Sequence, residues 1–423
     1  MTEVTKTVDY PVLIIGAGVA GMTVATELAD SGIKAILVER QLTAGGNALD
    51  LYRAFPTDDC FYCFEGNRWR PGIRKCFYRS ALIDQPNLDL RIGTTVHSIS
   101  GRPGQFLVTL RSAPQYVDPK KCTLCGVCIE VSKAFSFPSP QCQPQCVVFN
   151  PALEDDRAKE AAQKCPTNAI DLDAKPREDS LTVSDIVIAA GYHEMKPSSI
   201  DEYGYGRIPD VVTQLEFAKI LDPNGPSGGA VVRPSDGKPA RRVMMVQCVG
   251  SRDENHYPYC SKICCVFALK HAVVAARERD CSQVLVVYMD IRTYDRHERY
   301  YREARESGVD FIRGRVSRVE AGKDGGVDVT VYDSLLDRYL RFSLDLLVLS
   351  SALEPAEGFS DLLKMVGLSA SRGYVTPLDI ATEEEVVVGA GVYACGAALG
   401  PAEVPESVTQ ARAVVMKILA GRR

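Results

Sequence analysis

The strongest constraint on this chain is a glycine loop near its start, Gly16-Ala-Gly18-Val-Ala-Gly21, set between a strand-sized apolar run and a stretch with helical periodicity. The run Val12-Leu-Ile-Ile15 is apolar throughout; Val24 and Leu28 then repeat four apart beside Ala25 and Ala29, until Gly32 ends the pattern. Lys34-Ala-Ile-Leu-Val38 reads as the next strand, and Glu39 closes it 18 residues after Gly21. Strand, glycine turn, helix (expected over 22–31) and second strand follow in the order of a dinucleotide-binding βαβ unit. The glycines do different things. The first turns the chain, the second lets backbone approach a pyrophosphate, and the third lets the helix lie on the strand. The expected cradle is Gly16, Gly18, Val19, Ala20 and Gly21, with phosphates at the positive end of the helix. Glu39 accepts ribose hydroxyls, and Arg40, Gly45, Gly46 and Asn47 follow closely as candidate contacts.

Length and composition narrow the rest. At ~150 residues per domain, 423 residues make two to three domains, and 46% apolar with 24% charged content is globular rather than disordered or fibrous. A net charge of -5 argues against nucleic acid as a partner held by bulk charge. No apolar run reaches the ~18 residues of a membrane span. The polar segment Met1 to Tyr10 runs straight into a strand without a signal-peptide pattern, so a cytoplasmic protein is expected.

Short strands over 90–99 and 105–110 give way at about 115 to a cysteine-rich block, and strand character resumes at 181–189, so the block reads as an insertion. Pro223–Pro239, dense in Gly, Pro and Ser, reads as a linker. A second βαβ unit is expected over 242–246, 262–277 and 283–288, with antiparallel strands over 327–349 and a helix over 405–419. The fold class is therefore α/β, with two nested dinucleotide-binding domains and an inserted module. The expected divisions are 1–115, 116–174, 175–235, 236–345 and 346–423: first domain, module, first domain with linker, second domain, first domain again.

The 15 cysteines cluster, which in a long chain points to metal or redox chemistry rather than a disulfide scaffold. Cys122-x2-Cys125-x2-Cys128 with a remote Cys165-Pro166 is the spacing of a bacterial ferredoxin, where three thiolates in one loop and one from afar grip a four-iron cluster; zinc is the alternative. A second cluster of the same kind would need cysteines at Ser132, Asp155, Ala158 and Ala161, so one is expected in the module. Cys142 and Cys146 are left over, for an unorthodox centre or for packing. In the second βαβ unit the strand is followed not by glycines but by Gln247-Cys248-Val-Gly-Ser251 and then Tyr259-Cys260-Ser-Lys-Ile-Cys264-Cys265. Bulky residues and thiols stand where backbone would have to approach a pyrophosphate, so a nicotinamide site is expected to be lost. Four soft ligands suit an iron–sulfur cluster or zinc instead.

The first glycine loop, Gly45-Gly46 and the C-terminal Val387 to Gly396 segment together resemble two-dinucleotide-binding-domain flavoproteins of the thioredoxin reductase type. That resemblance implies FAD, with Ala190 and Gly191 closing a strand-and-turn against it. Gly396 and Ala397 would lie near the ribityl chain, where this sequence has Ala397 in place of the expected Asp. The segments Arg233-Pro-Ser-Asp-Gly-Lys-Pro, Gln247 to Glu254 and Tyr259 to Cys265 further resemble the A subunit of heterodisulfide reductase. They are similar to its relative in the quinone-interacting membrane-bound oxidoreductase complex and to related Hdr-like subunits. The resemblance implies a flavin and iron–sulfur electron-transfer subunit with two 4Fe-4S clusters: one in the ferredoxin-like module, one on Cys248, Cys260, Cys264 and Cys265. It also implies partner subunits, a homodimer, and membrane association only through partners. Lys270 matches a lysine expected near the flavin ring, and Val96 is a further candidate cofactor contact.

Cys60-x2-Cys63, with Cys76 beyond, leaves an alternative open: a stand-alone NAD(P)H-dependent disulfide reductase whose dithiol works against the flavin. The basic run Arg68, Arg70, Arg74, Lys75 and Arg79 around Trp69 is a solvated loop or a partner-docking segment. Five histidines show no metal spacing, and Cys281 and Cys395 fall on strand patterns and are expected in the core.

Overall fold

The computed structural model describes residues 10–53, 85–137, 146–153, 155–223, 225–377 and 385–422. Cys60, Cys63, Cys76, Cys142 and the basic run around Trp69 lie outside them.

The apolar runs become central parallel strands because both of their faces are covered. Val12–Ile15 pairs in parallel with Ala35–Val38 on one side and Asp185–Ile188 on the other. The full six-stranded order is 387–389, 392–394, 185–188, 12–15, 35–38, 88–91. Strands from three distant parts of the chain thus share one sheet. On one face Val12 and Ile14 meet Ala25 and Leu28 of the helix Val19–Asp30, and Val414, Val415 and Ile418 of the C-terminal helix Val404–Gly421. On the other, Leu13, Ile36 and Val38 meet Phe106, Val108 and Leu110 of a three-stranded antiparallel sheet (94–102, 105–112, 177–183). The first helix starts at Val19, three residues before the expected boundary, because the last glycine sits inside it.

The cysteine-rich module leaves from the end of Gln105–Ser112 and returns at the start of Arg177–Val183. These strands pair from Phe106↔Val183 to Ser112↔Arg177, so the module occupies a hairpin tip whose two ends already lie together. It has its own core, in which Phe135 and Phe149 of a short hairpin pack on Ala158 and Ala161 of the helix Ala158–Gln163.

The second sheet has seven strands, in the order 211–213, 346–351, 242–249, 283–288, 310–321, 327–333, 338–344. Three helices, Gln214–Leu221, Cys264–Glu278 and Glu298–Glu306, cover one face. Two sequence expectations change here. Within 327–349 only 327–333 and 338–344 pair antiparallel, whereas Leu346–Ser351 runs parallel to Arg242–Val249 in the sheet interior. All six residues of that strand are buried, and an unbroken apolar run suits a strand covered on both faces rather than a half-exposed hairpin arm. The Pro223–Pro239 segment is no bare tether. Arg233 is 7% exposed, pairs with Asp236 and donates to Asp324 O, while Ser235 Oγ donates to the Asp210 carboxylate at 2.7 Å.

Candidate redox site

At the carboxyl end of the first sheet the glycine loop opens on a cleft of about 1110 Å³, its open mouth included. Its wall contains Gly16, Gly18, Val19, Ala20, Glu39, Arg40, Gly45, Gly46, Asn47, Ala190, Gly191, Gly396 and Ala397, so candidates from three distant stretches of chain converge on a single space. Gly21 is absent from the wall and works by packing: a methyl there would lie 1.9 Å from Gly16 O. A methyl on Gly16 would meet Ala189 O at 2.3 Å. Above Gly18, by contrast, nothing lies within 4 Å of an added Cβ, so the middle glycine faces open cleft. This division of labour is what close backbone approach to a pyrophosphate requires, and the residues present fit a dinucleotide.

Glu39 is held rigidly, one carboxylate oxygen accepting from Ala17 N and the other from Gln41 N, both at 2.8 Å. Asn47 Nδ2 donates to Tyr192 O at 2.7 Å, and Arg40 reaches His193 Nε2 at 3.2 Å and Glu357. Cys395, expected as a core residue, is 1% exposed but also forms part of the cleft wall, with its thiol pushed up to about 12 by burial. Val96 lies in the three-stranded sheet against the core and is not among the cleft-lining residues. Lys270 is 2% exposed, sits over the Phe267 ring, and donates to the carbonyls of Leu51 and Arg53, tying the rim of the cleft to the helix Cys264–Glu278.

Sequence reasoning missed Tyr192, His193, Ile263, Glu403 and Ser407, which also line the wall. Glu403 had a signal: with Glu406 it forms a capping box at the start of the C-terminal helix, a pattern readable as Glu-x-x-Glu before an apolar stretch. Ile263 had none, because it reaches the cleft from the second domain.

In the module, Cys122, Cys125, Cys128 and Cys165 line one cavity of about 320 Å³, its open mouth included. Val147 N donates to Cys122 Sγ at 3.5 Å and Ala169 N to Cys165 Sγ at 3.3 Å, the kind of amide–sulfur contact that stabilises thiolate. Burial works against the Cys165 thiolate, but N–H groups from Ala169, Thr167 and Asn168 outweigh it and hold the thiol below its usual range. Burial raises Cys128. Leu124 (φ 59°) and Asn168 (φ 50°) adopt left-handed backbone beside these cysteines, strain of a kind that collects at functional loops. The positions a second cluster would use are filled. Ser132 is 2% exposed and donates to Asp155 Oδ1 at 2.7 Å, and Ala158 and Ala161 are fully buried. Cys146 packs against the module core.

The third group stands at the carboxyl end of the second sheet. Cys248 is the penultimate residue of the strand Arg242–Val249, Cys260 lies in the connection that follows, and Cys264 and Cys265 open the helix Cys264–Glu278. Four thiols therefore stand where a nucleotide-binding unit would turn tightly into its helix, and each lies within electrostatic reach of others in the set. Cys264 and Cys265 hydrogen-bond to each other, which holds Cys265 down at about 7 and Cys264 well above its usual range. Burial raises Cys248. Lys262 N donates to Cys260 Sγ at 3.3 Å. Cys248, Arg252 and Lys262 all take left-handed backbone (φ 60°, 56° and 62°). Cys281, by contrast, is a core residue as expected, its thiol pushed up to about 11 by burial. Among the described residues, no three His, Cys, Asp or Glu side chains converge tightly enough to hold a single metal ion, and no helix is long and apolar enough to cross a membrane.

Residues 14–61 match the NAD(P)-binding Rossmann-like domain family. The fold is similar to that of thioredoxin reductase from T. acidophilum (TM-score 0.55, 14% identity, 98% of this chain and 99% of that one). It is also similar to a NAD-dependent persulfide reductase from A. fulgidus (TM-score 0.52, 16% identity, 96% of this chain and 58% of that one). In sequence the chain is 36% identical to an iron-sulfur A subunit of the CoB–CoM heterodisulfide reductase of Methanopyrus kandleri over 96% of its own length and 63% of the relative's. It is 37% identical to the corresponding A subunit of Methanocaldococcus jannaschii over the same shares. The A subunit of the ferredoxin/F420H2-dependent CoB–CoM heterodisulfide reductase of Methanosarcina acetivorans is 32% identical over 96% of this chain and 52% of that one. The chain thus spans about 63% of the length of the first two relatives. Along nearly all of its length this chain is thus similar in sequence to heterodisulfide reductase A subunits, and its fold is thioredoxin reductase-like.

Proposed function

We propose that this chain is an oxidoreductase subunit that carries FAD in the glycine-loop cleft and two 4Fe-4S clusters, passing electrons between them and partner subunits of a heterodisulfide reductase-like or quinone-interacting complex. The observation that carries this reading is Ile263. It forms part of the cleft wall and caps the helix that opens with Cys264 and Cys265, so two thiols of the second set follow directly on a residue of the cleft. A bound flavin accepts electrons in pairs and releases them singly, which suits it to one-electron clusters.

The cleft residues from Gly16 to Asn47, with Ala190, Gly191, Gly396 and Ala397, would bind and orient the dinucleotide, and Lys270 would hold the adjoining segment in place. Val96 would act only from behind the wall. Cys122, Cys125, Cys128 and Cys165 would hold one cluster; their convergence on one cavity and the amides aimed at sulfur support this over a single zinc ion. Cys248, Cys260, Cys264 and Cys265 would hold the other. The filled Ser132–Asp155 and Ala158–Ala161 positions favour one cluster in the module. Domain boundaries at 1–115, 116–174, 175–235, 236–345 and 346–423, a cytoplasmic location and a homodimer belong to the same reading.

Anaerobic purification with native neighbours tests the proposal through flavin, iron and sulfide content and co-purifying subunits. One flavin and about eight iron atoms per chain are expected, four to each cluster. Iron near background refutes the cluster assignment. Rapid flavin bleaching by NAD(P)H alone would instead favour the stand-alone disulfide reductase using Cys60 and Cys63.

A further inference from the structure

Above the second thiol set the ends of two neighbouring parallel strands bring two guanidinium groups together. Arg252 follows the strand Arg242–Val249, and Arg292 follows Gln283–Tyr288. The Asp290 carboxylate bridges them, at 2.7 Å from Arg252 Nη1 and 3.6 Å from Arg292 Nη2. Asp290 also sets this pair beside the thiols, its carbonyl oxygen lying 3.8 Å from Cys265 Sγ, and both guanidiniums are within electrostatic reach of Cys265. The two arginine side chains are half-buried, 24% and 33% exposed. The position of Arg252 is set by the backbone: Arg252 N donates to Tyr259 O, and Tyr257 N to Gly250 O, both closing the loop that presents Cys260.

We propose that Arg252 and Arg292, held by Asp290, form a cationic clamp that raises the reduction potential of the cluster on Cys248, Cys260, Cys264 and Cys265. A cluster on four thiolates gains negative charge on reduction. Two guanidiniums set against the single Asp290 carboxylate leave net positive charge at its edge, which favours that added negative charge. The inference rests on the cluster reading of these four cysteines.

The test is a redox titration of the full chain followed by electron paramagnetic resonance, with the signal of this site identified as the one lost in Cys260→Ala. At the poise where the native cluster is half reduced, Arg252→Gln or Arg292→Gln should lower the reduced-to-oxidised ratio about tenfold, or ~59 mV for a one-electron couple. Arg292→Lys, which keeps the charge, should recover most of that shift, and flavin content should match the native chain in all three variants. Native midpoints in both glutamine variants overturn the clamp while leaving the cluster in place. Absence of any signal lost in Cys260→Ala overturns the cluster assignment itself, and the clamp with it. If Arg292→Lys shifts the midpoint as far as Arg292→Gln, charge is not the cause and the clamp is again overturned.

Discussion

Gly18→Ala and Gly21→Ala separate a cofactor contact from a packing contact within one loop. Gly18 caps the helix Val19–Asp30 at φ -77° and ψ -172°, a conformation open to alanine, and its added Cβ meets nothing within 4 Å. Alanine there gains about 0.4–1 kcal/mol by restricting the unfolded chain, but it is a poorer cap than glycine by a similar amount, so the cofactor-free protein should change little. Gly21 lies within the helix, where alanine would gain ~1 kcal/mol in propensity. Its Cβ would sit 1.9 Å from Gly16 O, however, and backbone must move to admit it. Overpacking of this kind costs about 1–3 kcal/mol or more, so Gly21→Ala should be destabilised by roughly 1–2 kcal/mol net, a fall in Tm of about 2–8 °C. Flavin affinity should behave the other way round for Gly18→Ala: a methyl in the space left for a pyrophosphate should cost at least ~1.4 kcal/mol, or tenfold in Kd. Thermal melts of flavin-free protein and fluorescence titration with FAD measure both quantities. Native FAD affinity in a well-folded Gly18→Ala protein would show that the open face over Gly18 is not where phosphate lies, and the cleft assignment would fall.

Cys165→Ala should remove about half of the bound iron and leave the signal assigned to Cys248–Cys265 intact, which iron analysis and paramagnetic resonance check; loss of both signals would contradict two independent sites. Burial lifts the Glu194 carboxyl to about 7 against opposing hydrogen bonds from Thr213, Leu215 and Gln214. The folded chain therefore holds a proton that the unfolded chain has released. The associated stability is complete below about pH 4.5 and is lost as pH rises through 7, a change on the order of 3 kcal/mol. Glu194→Gln should flatten the dependence of Tm on pH across that window, and an unchanged slope would mean the carboxylate is stable in place. In the module, Ala158→Leu should destabilise by about 1–3 kcal/mol because Ala158 is fully buried against Phe135 and Phe149; native urea resistance would argue that the space beside Ser132 is open rather than filled.

Local pattern carried a large share of this protein. The glycine spacing, the unbroken runs at 12–15 and 35–38 and the thiol triplet 122–125–128 depend on neighbours a few residues apart, where helix pitch and strand alternation act directly. Those signals were enough to nest one βαβ unit in another and to set a cysteine-rich module as an insertion within the first. Positions whose roles depend on a distant segment carried no such mark. Leu346–Ser351 reads alone as a hairpin arm, and only its neighbours at 242–249 and 211–213 make it an interior parallel strand. Cys395 has the pattern of a core residue, yet the return of its strand beside Asp185–Ile188 brings it to the cleft wall. Lys270 and Ile263 reach the first domain only because the thiol helix docks against residues 51–53. The arginine pair is the clearest case. Arg252 falls in the Gln247 to Glu254 segment and Arg292, forty positions on, in none of the named motifs; they meet because parallel strands in register deliver their carboxyl ends to one edge of a sheet. Composition and spacing name the ligands a chain can offer, but charge falls off with distance through space, and distance through space is set by the fold.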